Sequence, residues 1–503
     1  MNAATPKEKT VRLFVSGEFR EARTTRFGPV YNPSTGERIA QCPFCDADET
    51  ADVVQAAHDA FPAWRDTPIV ERARVMFRLV ALMEKHAEDL ARTISREHGK
   101  THAESIGSVR RAIEMVEFAC GMPTLTMGDT VHNLAQDVDC ETYCYPLGVC
   151  VSITPFNFPL MVPLWTAPIA IVAGNTFVLK PSEKVPLSAM HLAELLAEAG
   201  LPKGVFNIVH GDKQCVDVLL THPLVQAVSF VGSTSIAKYI YETATSHGKR
   251  CQANGGAKNH IVIMPDADID QAAAAIQTSA FGCSGQRCMA GPLAVAVGGI
   301  ADALVEALVT SADKMKVGPT DRDWGADMGP VVTRQHLDGL LVHIDKGVKE
   351  GAALARDGRN IKIEEAPNGF YLGPTIFDNV RPDMHVSQVE LFGPILSITR
   401  AGDFDEAVKL TNKSEYGNGA VIYTRSGHAA REFKHRAGAG MIGVNVGVPA
   451  PMAMFPFTGQ KASFFGDVHI QGKDGIRFYT KQKMIMTRWL SGGSAGEFVT
   501  TRG

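Results

Sequence analysis

Val149-Cys150-Val151-Ser152-Ile153-Thr154-Pro155-Phe156-Asn157-Phe158-Pro159 is the stretch on which the fold turns. Its first five residues are apolar or small and read as a buried strand, and the next six form a loop held by two prolines. An apolar helix over 164–173, bent at Pro168, is expected next, and Gly174-Asn175 ends it. Phe177-Val178-Leu179-Lys180 reads as a second buried strand, followed by Pro181-Ser182-Glu183. A helix over 189–199 leads through Gly200-Leu201-Pro202 to a strand over 205–209. Another strand, 227–231, precedes the turn Gly232-Ser233-Thr234 and a helix from Ser235. Four strands separated by helices predict an α/β fold with a parallel sheet and right-handed crossovers. Lys180 then falls at a carboxyl strand end, where such sheets bind ligands, and the Gly232 turn offers backbone N–H groups suited to a phosphate.

Upstream, 11–40 reads as short strands and turns, and 46–118 as amphipathic helices with apolar positions such as Val53, Ala57, Val75, Leu79 and Leu82. Arg110 and Arg111 lie in the last of these, where a solvated helix face is the simplest reading. The helical pattern fades over 124–142, and 143–151 looks extended, as a hairpin or an arm suited to contacts between copies of the chain.

Downstream, a helical segment over 269–280 runs into Phe281-Gly282-Cys283-Ser284-Gly285-Gln286-Arg287-Cys288-Met289-Ala290. Two glycines and a serine within four residues break the helix. Two cysteines sit on this turn beside a guanidinium, where a thiol pKa is expected to fall. Gly438-Ala439-Gly440-Met441-Ile442-Gly443 matches G-x-G-x-x-G, but a helix precedes it and a strand follows, the reverse of a dinucleotide fingerprint. The segment from 476 to about 490 reads as strand, and 491–503 as a frayed tail.

With 503 residues the chain is long enough for two or three domains. Its 50 basic and 54 acidic residues give a net charge of −4, which offers no basic face for nucleic acid. Ten cysteines in a chain this long do not form a disulfide framework, and Cys42-Pro43-Phe44-Cys45 lacks the second half of a zinc site, so no metal is expected. The first ten residues lack the apolar core of a secretory signal, and the apolar run over 158–173 is broken by three prolines. No membrane contact and a cytoplasmic location follow as expectations.

Taken together, Thr154 to Pro159, Lys180-Pro181-Ser182-Glu183, Phe230-Val231-Gly232-Ser233, Gly285-Gln286-Arg287-Cys288 and Glu390-Leu391-Phe392-Gly393-Pro394 resemble the aldehyde dehydrogenase superfamily over about 12–488. The resemblance implies a Rossmann-like NAD-binding domain over 1–132 and 151–260, an α/β catalytic domain over 261–467, and a small β oligomerisation arm with C-terminal tail over 133–150 and 468–503. It also implies a homodimer or homotetramer. It points to Cys288 as nucleophile, with Cys283 a packed neighbour, and to Asn157 as the side-chain donor to the oxyanion. By the same resemblance Lys180 and Glu183 hold the adenosine ribose, with Lys184 beside them. Thr154, Phe156, Gly232, Ser233 and Gly255 line the nucleotide site, and Glu390 with Phe392 places the nicotinamide ribose. A carboxylate at Glu183 favours NAD over NADP.

The resemblance also has a departure. Hydrolytic members carry a glutamate thirty-four residues before the nucleophile as base for the deacylating water, and here that position is Asn254. An amide takes no proton at neutral pH. This loss, with Gly256-Ala257-Lys258-Asn259-His260, Arg287-Cys288-Met289-Ala290 and the 451–459 and 463–467 segments, resembles the CoA-acylating methylmalonate-semialdehyde dehydrogenases. They imply oxidation of methylmalonate or malonate semialdehyde with NAD and coenzyme A to propionyl-CoA or acetyl-CoA, carbon dioxide and NADH. Arg111 and Arg287 would then hold the substrate carboxylate. A hydrolytic aldehyde dehydrogenase releasing free acid is the alternative. A catalytically retired binding protein and a non-redox cysteine acyltransferase fit the motif set less well.

Overall fold

The computed structural model describes residues 9–322 and 325–490. The sequence readings for the first eight residues and for the 491–503 tail lie outside the described residues. The predicted βαβ run forms the centre of a sheet that has eight strands among the described residues. Phe206–Ile208, Thr176–Lys180, Val149–Ile153, Val225–Val231 and Arg250–Asn254 lie side by side and parallel. Ile153 pairs with Lys180 on one side and Phe230 on the other, so the Thr154–Pro159 loop, Lys180 and Gly232 leave the sheet from one end. The sheet is not parallel throughout. Leu13–Val15 and Phe464–Phe465 close its two sides as antiparallel strands, the former extended by Glu18–Arg20.

A second sheet follows, in the order Ala353–Arg356, Thr375–Asp378, Ile395–Ala401, Leu293–Val297, His260–Ile263, Gly419–Tyr423, Met441–Val444, and only the first pairing is antiparallel. The chain passes from the first sheet to the second between Asn254 and His260, where Gly255 to Asn259 bridge them. Strands of both sheets are buried on both faces, which explains their continuous rather than alternating apolar pattern. The G-x-G-x-x-G segment falls between the helix Gly427–Arg436 and the strand Met441–Val444, the helix-to-strand turn its order implies.

The amphipathic stretch near the amino terminus forms four helices: Ala47–Asp66, Ile69–Lys85, Ala87–His98 and His102–Cys120. The last starts on a capping box, in which Thr101 Oγ1 accepts from Glu104 N and Glu104 returns Oε2 to Thr101 N. The helix over Met161–Val172 is apolar all round and wholly buried, with Pro163 and Pro168 inside it.

Thr130–Ala135, Val138–Pro146 and Thr480–Arg488 make a three-stranded antiparallel sheet. It overlaps the 133–150 and 468–503 segments expected as an arm but begins at Thr130, before the expected boundary. Val149 and Cys150 belong to the eight-stranded sheet instead. Residues 472–479, partly read as strand, are the helix Gly472–Tyr479. Ile476, Phe478 and Tyr479 suggested a strand by residue type, but tertiary contacts override that preference. Phe478 and Tyr479 are buried, and Arg250 Nη1 donates to the carbonyls of Arg477, Phe478 and Thr480 at the helix end.

Candidate active site

Cys288 lies in the walls of two cavities, one of about 930 Å³ and one of about 390 Å³. It is reached from the helix Ile269–Phe281 through a turn in which Cys283, Ser284 and Gly285 all adopt positive φ, at 52°, 55° and 70°. Two consecutive non-glycine residues there cost on the order of 1–2 kcal/mol each, so other groups must hold the turn. Glu104 Oε1 accepts from Cys283 N at 2.6 Å, Ser284 Oγ donates to Gly329 O at 2.7 Å, and Gln286 Oε1 accepts from Val332 N at 3.2 Å. At Gly285 a Cβ would overlap the Gly393 carbonyl, so that position excludes every other residue. On the far side of the turn, Asn259 Nδ2 donates to the carbonyls of Cys288 and Ala290 at 2.9 and 2.7 Å, and Asn418 Nδ2 donates to Cys288 O at 3.0 Å.

The thiols do not behave as the neighbouring guanidinium suggested. Burial pushes the Cys288 pKa up to about 12, with Glu390 adding to the rise, while the backbone N–H groups of Cys288 and Met289 and the charge of Lys100 oppose it. Cys283 is also raised, again chiefly by burial. Burial outweighs the guanidinium at both sulfurs, although Arg287 reaches one of them. Its Nε donates to Cys283 Sγ at 3.1 Å, its Nη1 to Thr278 O at 3.2 Å, and its Nη2 pairs with Glu104 at 3.1 Å. None of these contacts is to Cys288.

Every residue expected at the nucleotide lines the larger cavity. Lys180 Nζ pairs with Glu183 Oε2 at 3.1 Å. Burial raises the Glu183 carboxyl, but Lys180, the residue's own backbone N–H and Lys184 outweigh it and hold the pKa below its ordinary value. Phe156 meets Phe392 edge-on at 5.8 Å, and Lys184 Nζ lies 5.1 Å from the Phe156 ring. Gly232 and Ser233 precede the helix Thr234–Ser246, whose N-cap Ser233 makes no side-chain cap bond. Gly255 and Glu390 complete the wall near Cys288; Glu390 Oε1 accepts from Ala257 N at 2.9 Å, and burial lifts its pKa to about 7. The side chain of Thr154 has a buried hydroxyl with no partner among the described residues. Asn157 is buried and donates Nδ2 to Gln286 O at 3.1 Å, which fixes its amide against the turn and leaves the second N–H of that amide.

Arg111 and Arg287 both line the smaller cavity, together with Phe158, Met161, Trp165 and Phe457. Each is already engaged. Arg111 Nη1 pairs with Glu114 at 2.6 Å and its Nη2 donates to Pro451 O. Arg110, by contrast, is exposed, as its solvated reading implied. Three of the five N–H groups of Arg287 are taken, one on each nitrogen, so one remains on each terminal nitrogen for a two-pronged contact. Asn254 is buried at the end of its strand, and neither its Oδ1 nor its Nδ2 has a partner among the described residues.

Several site residues carry no sequence signal as strong as their contacts. Glu104 could have been suspected from the Thr101-x-x-Glu104 spacing, although its link to Cys283 and Arg287 spans about 180 residues. Lys258, buried beside Glu390, donates Nζ to Val389 O at 2.9 Å, and burial lowers its pKa to about 7. Lys100 and His98 lie fully buried, in a stretch whose sequence reads only as amphipathic helix.

Among the described residues no group of three or more His, Cys, Asp or Glu could hold a metal, and no helix is long and apolar enough to cross a membrane. The chain is 50% identical over 481 residues to malonate-semialdehyde dehydrogenase 2 of Geobacillus kaustophilus (strain HTA426), covering 96% of this chain and 99% of that one. It superposes with a TM-score of 0.94 on the crystal structure of methylmalonate-semialdehyde dehydrogenase from Oceanimonas doudoroffii, 48% identical, covering 96% and 99%. A Sinorhizobium meliloti 1021 chain, solved in complex with NAD, gives a TM-score of 0.95 at 44% identity, covering 97% and 99%. The profile of the aldehyde dehydrogenase family matches residues 19–485, and with these relatives it establishes that the chain belongs to that family.

Proposed function

We propose that the protein oxidises malonate semialdehyde or methylmalonate semialdehyde with NAD and coenzyme A, yielding acetyl-CoA or propionyl-CoA, carbon dioxide and NADH. The observation that carries this reading is the position of Cys288 between a nucleotide-sized cavity and a smaller one walled by two guanidinium groups. The larger cavity suits NAD. The uncapped start of the helix Thr234–Ser246 would take the pyrophosphate, Lys180 and Glu183 the adenosine ribose, and Glu390 with Phe392 the nicotinamide ribose. A Glu183 carboxylate held ionised repels a 2′-phosphate. NAD, when bound there, supplies the hydride acceptor.

Cys288 adds to the aldehyde carbonyl as thiolate, and the charge that develops on oxygen falls to the free Asn157 N–H and the Cys288 backbone N–H. Arg111 and Arg287 orient the substrate through its carboxylate. The oxidised product remains as a thioester on Cys288. Asn254 has no basic group with which to activate water, so the thioester waits for a thiol, and exchange onto coenzyme A needs little help from a base. The hydrolytic alternative lacks its proton acceptor at this position.

The three-stranded sheet exposes Met484, Met486 and Val131, which supports assembly into a homodimer or homotetramer through this arm. All ten cysteines are unpaired, which suits the reducing cytoplasm.

The test mixes enzyme, malonate semialdehyde and NAD, follows NADH absorbance, and adds coenzyme A after the first turnover. A burst of about one NADH per Cys288 that stalls until coenzyme A arrives supports the reading. Steady turnover without coenzyme A rejects it in favour of hydrolysis.

A further inference from the structure

Cys288 occupies the second position of a turn that is closed by Ala290 N donating to Arg287 O at 3.1 Å. Neither Cys288 nor Met289 has a positive φ, so the peptide between them is not in the flipped form of a type II turn. Two buried amides hold its carbonyl. Asn259 Nδ2 donates to Cys288 O at 2.9 Å and Asn418 Nδ2 at 3.0 Å, which fills both lone pairs of that oxygen. The Asn259 amide is itself fixed, since its Oδ1 accepts from Gly419 N at 2.8 Å and its Nδ2 also reaches Ala290 O at 2.7 Å. The two asparagines stand immediately before the paired strands His260–Ile263 and Gly419–Tyr423, so the second sheet carries the turn. The packing is tight there. A Cβ on Gly419 would lie 3.0 Å from Met289 Cε and 3.3 Å from Asn259 Oδ1.

The middle peptide of a turn is the one that can flip while the chain on either side stays in place. A planar trans peptide carries its C=O and N–H on opposite edges, so a flip would send the Cys288 carbonyl away from the strands and the Met289 N–H toward them. We propose that Asn259 and Asn418 are positioning residues of the reaction centre, which lock the peptide after Cys288 against this flip and keep the nucleophile at the junction of the two cavities. In the held form the N–H groups of Cys288 and Met289 favour the thiolate, and a flip would remove the second of them. The inference rests on Cys288 being the nucleophile.

With enzyme in excess over malonate semialdehyde, the first formation of NADH is timed with NAD present and coenzyme A absent. In Asn418→Leu this rate is expected to fall about tenfold, the upper worth of one neutral hydrogen bond, with NAD affinity unchanged. Asn418→Asp, equal in shape, is expected to recover part of the rate at pH 6, where a buried carboxyl keeps a proton to donate, and to lose it by pH 9. A leucine variant as fast as the wild type overturns the proposal, and so does an aspartate variant no faster than leucine at pH 6. If Asn418→Leu does not fold, an Asn418→Asp rate that holds level with the wild type from pH 6 to pH 9 overturns it. Iodoacetamide alkylation at pH 8 needs no substrate and compares rates at one pH. Trypsin cuts after Arg287 and puts Cys283 and Cys288 on separate peptides for mass spectrometry. Loss of the clamp should slow Cys288 and spare Cys283. A turn that had merely loosened would expose both thiols and speed both, which overturns the proposal. Cys288→Ala separates the two claims. NADH formation surviving in that variant refutes the nucleophile assignment, and the clamp's role with it. Abolished NADH formation beside a wild-type rate in Asn418→Leu refutes the clamp alone.

Discussion

Arg287 donates its Nε to the sulfur of Cys283, at 3.1 Å, and among the described residues makes no hydrogen bond to the sulfur of Cys288, its immediate neighbour in sequence. With Nη2 on Glu104 and Nη1 on Thr278 O, the guanidinium is clamped against the turn. A Cβ on Gly282 would collide with it at 2.6 Å, so the turn is shaped around this side chain. The clamp leaves one N–H on each terminal nitrogen of a planar fork that an ammonium lacks. Arg287→Lys is therefore expected to lower kcat/KM for malonate semialdehyde roughly tenfold to a hundredfold, the worth of one charge-assisted hydrogen bond of about 1.5–3 kcal/mol. Propanal, which has no carboxylate, should lose less than about threefold by the same reasoning. Equal losses on both aldehydes would show that Arg287 supports the turn rather than the substrate.

Asn157 spends one N–H on Gln286 O, and the proposed reaction gives the other to an oxygen developing negative charge. Asn157→Ala should lower kcat by roughly a hundredfold to a thousandfold, as removal of one oxyanion donor does elsewhere. Because the thiol itself is untouched, alkylation of Cys288 by iodoacetamide should continue at near wild-type rate. Loss of both would point to a collapsed loop.

Asn254 offers a sharper stability test. Its amide is buried with both polar atoms unpartnered, an arrangement that costs roughly 1–3 kcal/mol per unsatisfied group. Asn254→Leu, which keeps the same branched skeleton without polar atoms, should be neutral or stabilising and should leave the coenzyme A-dependent burst intact. Asn254→Glu should introduce slow NADH turnover without coenzyme A, increasing with pH, because burial will raise the new carboxyl above its ordinary pKa. A destabilised leucine variant would mean that the amide meets a polar partner after all.

How much of this was legible beforehand follows from distance along the chain. The strand Val149–Ile153 was found to the residue, since a buried strand with a proline loop behind it is a local pattern. The resemblance points to Cys288 through Gly285-Gln286-Arg287-Cys288 and to Asn254 by counting back thirty-four residues. The direction of the thiol pKa was not legible. Adjacency in sequence set the guanidinium beside both thiols, whereas burial, which comes from distant packing, outweighs it at each, and Arg287 turns to Cys283 and Glu104. Lys100 follows a helix-ending glycine and looks like any charged residue at a helix terminus. Only the packing of Phe158, from a loop nearly sixty positions away, turns it into a buried cation.

Buried histidines should govern the acid limb of stability. Burial lowers His98 well below its ordinary value, His210 to about 3 and His260 to about 4. Between those values and the ordinary 6.5 the unfolded chain binds protons that the folded chain refuses, so these groups withdraw stability as pH falls below about 6.5. Glu97 and Glu390, raised to about 7 by burial, act in the opposite sense, since the folded chain holds their protons from pH 7 down to the ordinary carboxyl range. The absolute slope therefore mixes both signs, and a variant must be compared with the wild type. His210 is the cleanest case, with Nε2 on Arg12 O at 3.2 Å and Nδ1 without a partner. His210→Gln keeps a donor for Arg12 O and removes the titration. Urea unfolding at pH 6 and pH 5 should show the variant losing about 1 kcal/mol less than the wild type across that interval. Equal losses would mean that His210 becomes protonated in the folded protein, against the burial that is expected to keep it neutral.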